Sequence, residues 1–263
     1  MARARILILG GTGEGFRLAE YLHAHPDVDV ITSMAGRTPA PKTPAGALRR
    51  GGFGGVDGLV SYLRAEGISA MIDATHPFAS RMSRNAALAG RAAGIACVHI
   101  HRPGWSRAPG DDWHEVACLE DAADALPAGA GATFLTVGKT QLHHFSRRDD
   151  VAFLARIVAP LGHDEDVGAL PAKLTFVYDK GPFDLESERQ LLMRHKIAWI
   201  VSKNSGGAAA QGKLVAAREL GIPVIMVRRP DAPDGVCVGD GDAAIQWLNN
   251  HTALSLRNPE LAR

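Results

Sequence analysis

The chain has 263 residues, 46% hydrophobic and 22% charged, which suffices for one large domain or two of ordinary size with a sizeable core. A formal net charge of +1 excludes a general nucleic-acid or membrane-surface binder, so any anionic ligand must be met by local basic groups. Cys97, Cys118 and Cys237 are odd in number and far apart, no apolar run is long enough for a secretory signal or a spanning helix, and the expected setting is a reducing cytoplasm without disulfides.

The chain opens with a strand at 6–9, four apolar residues in a row, as expected for a strand buried on both faces. Phe16, Leu18, Ala19 and Leu22 then repeat at helical spacing. Between them lies the turn Gly10, Gly11, Thr12, Gly13, Glu14, Gly15. Missing Cβ atoms at a helix N-terminus suit a phosphate, which would meet bare N–H groups there. The match to the dinucleotide pattern G-x-G-x-x-G is imperfect, because the third glycine would fall at Phe16 and the sequence offers Gly15 instead. By spacing alone, a phosphate seat and a tight structural turn remain equal readings.

A strand at 28–33 follows, ending in "SMAGR". NAD-binding folds carry an acid at this place for the ribose 2′-hydroxyl. Here stand Ser33 and, close behind, Arg37; a hydroxyl and a guanidinium suit a 2′-phosphate, so NADP is the expected cofactor if the glycine turn binds one. Residues 38–46 read as a loop and 56–66 as an amphipathic helix. The strand at 70–74 leads into "DATHPFA" and a helix at 79–93, with Pro77 expected in its first turn. Asp73 or Thr75 suits a helix cap; His76 is harder to explain that way and is expected to face the cofactor. A strand at 96–101 precedes the Pro- and Gly-bearing segment 101–112, the expected domain boundary. His99/His101 and His143/His144 lack further ligands at metal spacing, so no metal is expected.

Strands are predicted at 133–137, 152–159, 174–178, 198–202 and 224–228, with helices at 185–196 behind the N-cap Asp184 and at 208–220 before Gly221. "GKT" at 138–140 resembles the end of a triphosphate loop, but the required earlier glycine is Thr133, which excludes that class and leaves Lys139 as an anion contact at a strand end. "SKNSGG" at 202–207 is predicted to open a helix as a second anion site. Little periodicity follows Thr252. Strand–helix alternation implies an α/β protein with parallel sheets. The expected domains are 1–103, 104–251 and a frayed tail at 252–263, with ligands outside the carboxyl ends of the strands.

Five blocks carry a family resemblance: "LILGGTGEGFRLAEYL", "GGFGGVDGLVSYLRAEGI", "IDATHPFASRMSRNA", "FLTVGKTQL" and "SKNSGGAAAQGKLVAARELGIPVIMVRRP". Together, over residues 6–230, they resemble the precorrin-6A reductase family of the cobalamin pathway. The resemblance implies two Rossmann-like parallel-sheet domains facing each other across a cleft. It implies NADP(H)-dependent reduction of one double bond in a polycarboxylate tetrapyrrole, precorrin-6A to precorrin-6B, and transient contact with neighbouring pathway enzymes. The cobalt-bearing ring of the anaerobic branch is the alternative substrate. Carried onto this chain, Gly10, Gly11, Thr12, Gly13, Glu14, Gly15, Ser33 and Arg37 become cofactor contacts, as do Asp73, Ala74, Thr75 and His76. Asn204 and Ser205 fall in a motif lining the cleft, and Lys139, Lys203, Lys213, Arg81 and Arg84 suit the substrate carboxylates. Two other classes compete. A short-chain dehydrogenase needs Lys four residues after Tyr, which Tyr21, Tyr62 and Tyr178 all lack. A non-catalytic NADP sensor would not need the polar strand ends of the second half.

Overall fold

The computed structural model describes residues 3–36, 43–162, 166–252, 254 and 256; Arg37 lies outside them. The strands are β1 (Ala4–Leu9), β2 (Val28–Met34), β3 (Ala47–Arg50), β4 (Ala70–Asp73), β5 (Ala96–Ile100), β6 (Trp113–Val116), β7 (Ala132–Leu135), β8 (Ala152–Ile157), β9 (Leu174–Tyr178), β10 (Ile197–Lys203), β11 (Val224–Val227) and β12 (Val236–Val238). The α-helices are α1 (Gly13–His23), α2 (Val56–Ala65), α3 (Ser80–Ala93), α4 (Leu119–Asp124), α5 (Leu185–Arg194), α6 (Gly212–Leu220) and α7 (Gly241–His251).

The chain divides into two units, one of residues 1–103 with 230–263 and the other of residues 104–229. The first holds a parallel sheet in the order β12-β5-β4-β1-β2-β3. This is the doubly wound dinucleotide-fold order, with its sixth strand supplied from beyond residue 230. The run Ile6–Leu7–Ile8–Leu9 is apolar throughout because alternate side chains enter two cores. Ile6 and Ile8 pack with Leu18 and Leu22 of α1 and Ile245 and Leu248 of α7. Leu7 and Leu9 pack with Leu59 and Leu63 of α2 and with Ala86 and Ala89 of α3.

The second unit holds a parallel sheet in the order β6-β11-β10-β7-β8-β9. Its outer place beside β11 is taken by β6, the first strand of the unit in the chain. Phe134, Leu154, Ile200 and Met226 of the sheet pack against Leu192 of α5 and Leu214 and Ala217 of α6.

The first unit breaks off at residue 103 and resumes at 230, so residues 230–251 do not belong to the second unit. β12 pairs with β5, and α7 buries Ile245 and Leu248 completely in the first unit's core. The frayed tail is corrected at two described positions. Leu254 and Leu256 are buried in that core, and Leu256 exchanges two hydrogen bonds with the Asn249 side chain at 2.7 and 2.8 Å. Helix ends follow local chemistry: Asp184 accepts from the Ser187 N–H at 2.9 Å, and Gly221 closes α6 with φ 64°.

Candidate active site

The glycine turn joins β1 to α1, and each of its glycines has a separate reason. Gly11 takes φ 108°, a conformation that disfavours any side chain. A Cβ on Gly10 would stand 2.8 Å from Cγ2 of Thr32, and one on Gly15 would stand 3.3 Å from the Gly10 Cα. These two serve strand and helix packing. Gly13 differs: its φ is ordinary, and the nearest atom to an added Cβ is the Arg17 guanidinium at 3.7 Å. Among the described residues nothing requires glycine there. As first-turn residues of α1, Gly13 and Glu14 carry N–H groups with no intrahelical carbonyl to meet. Thr12 caps the helix, accepting from the Gly15 N–H at 3.2 Å, and donates to the Ala74 carbonyl at 2.7 Å. Thr12 and the buried Ala74 are thus committed to holding the turn against the end of β4. The Glu14 carboxylate pairs with Arg102, beyond β5, which neutralises an acid beside the helix N-terminus.

Ser33 is buried near the end of β2, and its carbonyl accepts from the Gly10 N–H at 2.9 Å. The second strand's end is therefore tied directly to the glycine turn. Its hydroxyl accepts from Arg49 of β3 at 3.4 Å.

At the end of β4, Asp73 is the hub of a buried cluster. It accepts from the Thr75 N–H at 3.1 Å, the Thr75 hydroxyl at 2.7 Å and His99 Nδ1 at 2.9 Å. Burial works to raise its pKa, but the hydrogen bonds from His99, Ser83 and Thr75 outweigh it and hold the carboxyl below the ordinary value. Asp73 therefore shapes the turn after β4 rather than capping α3, which begins only at Ser80. Pro77 lies in that turn, ahead of the helix. The His99 Nε2 faces the Cys97 sulfur at 3.8 Å; burial, then the Asp73 charge, push that thiol up to about 12, so it stays protonated. His76 Nδ1 accepts from the Phe78 N–H at 3.2 Å, which places the ring proton on Nε2 and makes that nitrogen a donor.

Asp73, Thr75, His76, Ser83, Arg84 and His99 all line one cavity of about 460 Å³ within the first unit. His101 and the 230–234 segment also line it. Helical spacing separates the two arginines: Ser80, Ser83 and Arg84 share a face of α3 and line the cavity, while Arg81, exposed like Arg84, is outside the lining. Of the two arginines that the sequence offers on this helix, Arg81 foremost, Arg84 is the one in the cavity lining. His99, His101 and Arg102 could be found in the sequence only as residues at or after a strand end, since no motif marks them.

In the second unit, Lys139 opens a short 3-10 helix (Lys139–Phe145) after β7, and Lys203 ends the neighbouring β10. Lys203 donates to Gln141 of that 3-10 helix at 2.7 Å, so the two lysines stand at adjacent strand ends. Asn204 instead fixes the loop before β6: its side chain accepts from the Trp105 N–H at 2.7 Å and donates to the Trp105 carbonyl at 3.0 Å. Ser205 follows, half-buried, its N–H on the Lys203 carbonyl at 2.7 Å. The expected helix start at "SKNSGG" is corrected, because Gly206 and Gly207 take φ 66° and 87° and α6 begins only at Gly212.

Lys213, which the sequence offers for substrate carboxylates, is sealed inside the second unit. It is 6% exposed, donates to the Ala210 carbonyl at 2.7 Å and lies over the Trp105 ring. Burial lowers its pKa to about 8, against the raising influence of Glu188. The folded state therefore holds fewer protons than the unfolded chain between about 8 and the ordinary 10.5, so stability contributed by this site rises with pH across that window. Urea unfolding at about pH 7.5 and about pH 9.5 should show the native protein gaining ~1–2 kcal/mol over Lys213→Met. A pH-independent difference would remove the buried ammonium from the account.

Among the described residues no group of three or more His, Cys, Asp or Glu side chains is placed to hold a metal ion, and no helix is long and apolar enough to cross a membrane. The profile of the family described as Precorrin-6x reductase CbiJ/CobK matches residues 5–249. The chain is 45% identical to the precorrin-6A reductase of Rhodococcus erythropolis, covering 94% of this chain and 98% of that one. It is 42% identical to that of Rhodobacter capsulatus, covering 95% and 97%. Similarity to the cobalt-precorrin-6A reductase of Priestia megaterium is lower, 30% over 94% and 99%. A solved structure of CobK precorrin-6A reductase aligns with a TM-score of 0.88 at 41% identity, covering 97% of this chain and all of the other.

Proposed function

The chain belongs to the precorrin-6x reductase family, and on that premise we propose that it reduces one double bond of precorrin-6A with NADPH, giving precorrin-6B. Gly13 carries the cofactor reading, as a glycine that the fold itself does not demand at the N-terminus of α1. NADPH when bound supplies the hydride. The Gly13 and Glu14 N–H groups hold its pyrophosphate, and Ser33 stands where the adenosine ribose belongs in this strand order. Thr75 and His76 line the cavity at the carboxyl end of β4, on the nicotinamide side of such a sheet. His76 presents its Nε2 proton as a donor toward the reducing centre, and Asp73 and His99 hold the turn that carries it. Lys139 and Lys203 bind carboxylates of the macrocycle. The higher identity to reductases of metal-free precorrin-6A than to the cobalt enzyme supports the metal-free ring as substrate.

The test is NADPH oxidation followed with precorrin-6A and, separately, without it. Turnover that requires the tetrapyrrole supports the reading, and cofactor binding without turnover would make the protein a sensor. In that assay His76→Ala should lower kcat by about 100-fold with little change in either binding constant. Lys203→Ala should act mainly on the tetrapyrrole KM. A His76→Ala enzyme with native kcat and pH profile would leave proton supply to water.

A further inference from the structure

β3 brings an arginine to the place where the second strand chooses between cofactors. Ser33 and Arg49 are direct partners in the β2–β3 register. Arg49 Nη1 donates to the Ser33 hydroxyl at 3.4 Å and to the Gly51 carbonyl at 2.6 Å, and Nη2 donates to the Gly52 carbonyl at 2.9 Å. The guanidinium lies 3.8 Å over the Phe53 ring and 5.1 Å from the Tyr62 ring. Among the described residues its partners are a hydroxyl, two carbonyls and two ring faces, all neutral. They fix the fork's position without cancelling its charge, and leave Nε–H and one Nη2–H of its five donors. Two backbone stitches place this group beside the glycine turn. The Gly51 N–H donates to the Met34 carbonyl at 2.9 Å, and the Gly10 N–H to that of Ser33 at the same distance.

A half-buried guanidinium without a carboxylate is a poor structural peg, since neutral donors would hold the two carbonyls at less desolvation cost. It is a good receptor for a dianion. We propose that Arg49 reads the 2′-phosphate of the dinucleotide, with Ser33 as its partner, and so sets the preference for the phosphorylated cofactor. This rests on the reading of the first unit as an NADPH site. The Phe53 and Tyr62 rings pre-position the fork, so little side-chain freedom is lost on binding.

The test is titration of NADPH and of NADH into the native protein, Arg49→Ala and Arg49→Lys, followed by nicotinamide fluorescence. Arg49→Ala should lose about 10- to 100-fold in NADPH affinity with NADH nearly unchanged. Arg49→Lys, which keeps charge but not the fork, should fall between. Because NADH reports an intact site, the ratio of the two affinities separates 2′-phosphate reading from general damage. Preference for NADPH retained in both variants, or equal loss of both cofactors, overturns the assignment of Arg49. A native protein without preference for NADPH overturns the cofactor reading itself.

Discussion

Gly13→Ala is expected to reduce NADPH affinity by about 100-fold or more while leaving the protein folded. The added methyl meets only the flexible end of Arg17 at 3.7 Å, and the residue already has helical geometry. Stability should hold or rise slightly, since Ala is favoured over Gly in a helix by about 0.5–1 kcal/mol. A pyrophosphate drawn onto two first-turn N–H groups gains hydrogen bonds of about 1.5–3 kcal/mol each, and a Cβ between them and the ligand removes that contact. Gly15→Ala is the control for a structural glycine: its Cβ would press on the Gly10 Cα and lie 3.5 Å from the Ala74 Cβ, so it should lower the unfolding midpoint. Native NADPH binding by Gly13→Ala would place the pyrophosphate elsewhere.

Glu188→Ala should destabilise the second unit by about 3–5 kcal/mol, the usual cost of stripping one partner from a buried ion pair. Its carboxylate, 1% exposed, accepts both ends of the Arg156 guanidinium at 2.8 and 2.7 Å. Arg156 is otherwise held between aromatic faces, 3.9 Å over Phe183 and 4.9 Å from Phe134, and its Nε has no partner among the described residues. Lys213 feels the same carboxylate. Removing Glu188 thus leaves two cations in a dry site with no anion between them. Adding Lys213→Met should recover part of the loss, because only one uncompensated charge then remains. Chemical denaturation of the single and double variants measures both effects; a loss below about 1 kcal/mol for Glu188→Ala would show that water reaches Arg156.

The elements legible in the sequence are those whose chemistry is local or whose burial is continuous. β1, β4 and β10 read as apolar runs because both faces of a central parallel strand are covered, and Asp184 and Gly221 announce helix ends through their own hydrogen bonding and φ. β3, β6 and β12 escape notice for the same reason in reverse. Each is an edge strand of three or four residues with mostly exposed or half-exposed side chains, so no run or alternation marks it. Without β12, residues 230–251 fall to the wrong unit, and without β3, Arg49 stays hidden.

Motif position says equally little about side-chain direction. Lys213 and Lys203 look alike in sequence, but one is sealed against Trp105 and Glu188 while the other stands at a strand end. By itself, then, the sequence determined the α/β class, the glycine turn, the strand ends that carry polar groups and the family. Those follow from period, backbone freedom and the order of short blocks along the chain. Only the tertiary structure decided which glycine is free for a ligand, which of Arg81 and Arg84 lines the cavity, and which cations are spent on the fold. These depend on what lies across a strand pair or beneath a helix, and such neighbours are distant in the chain.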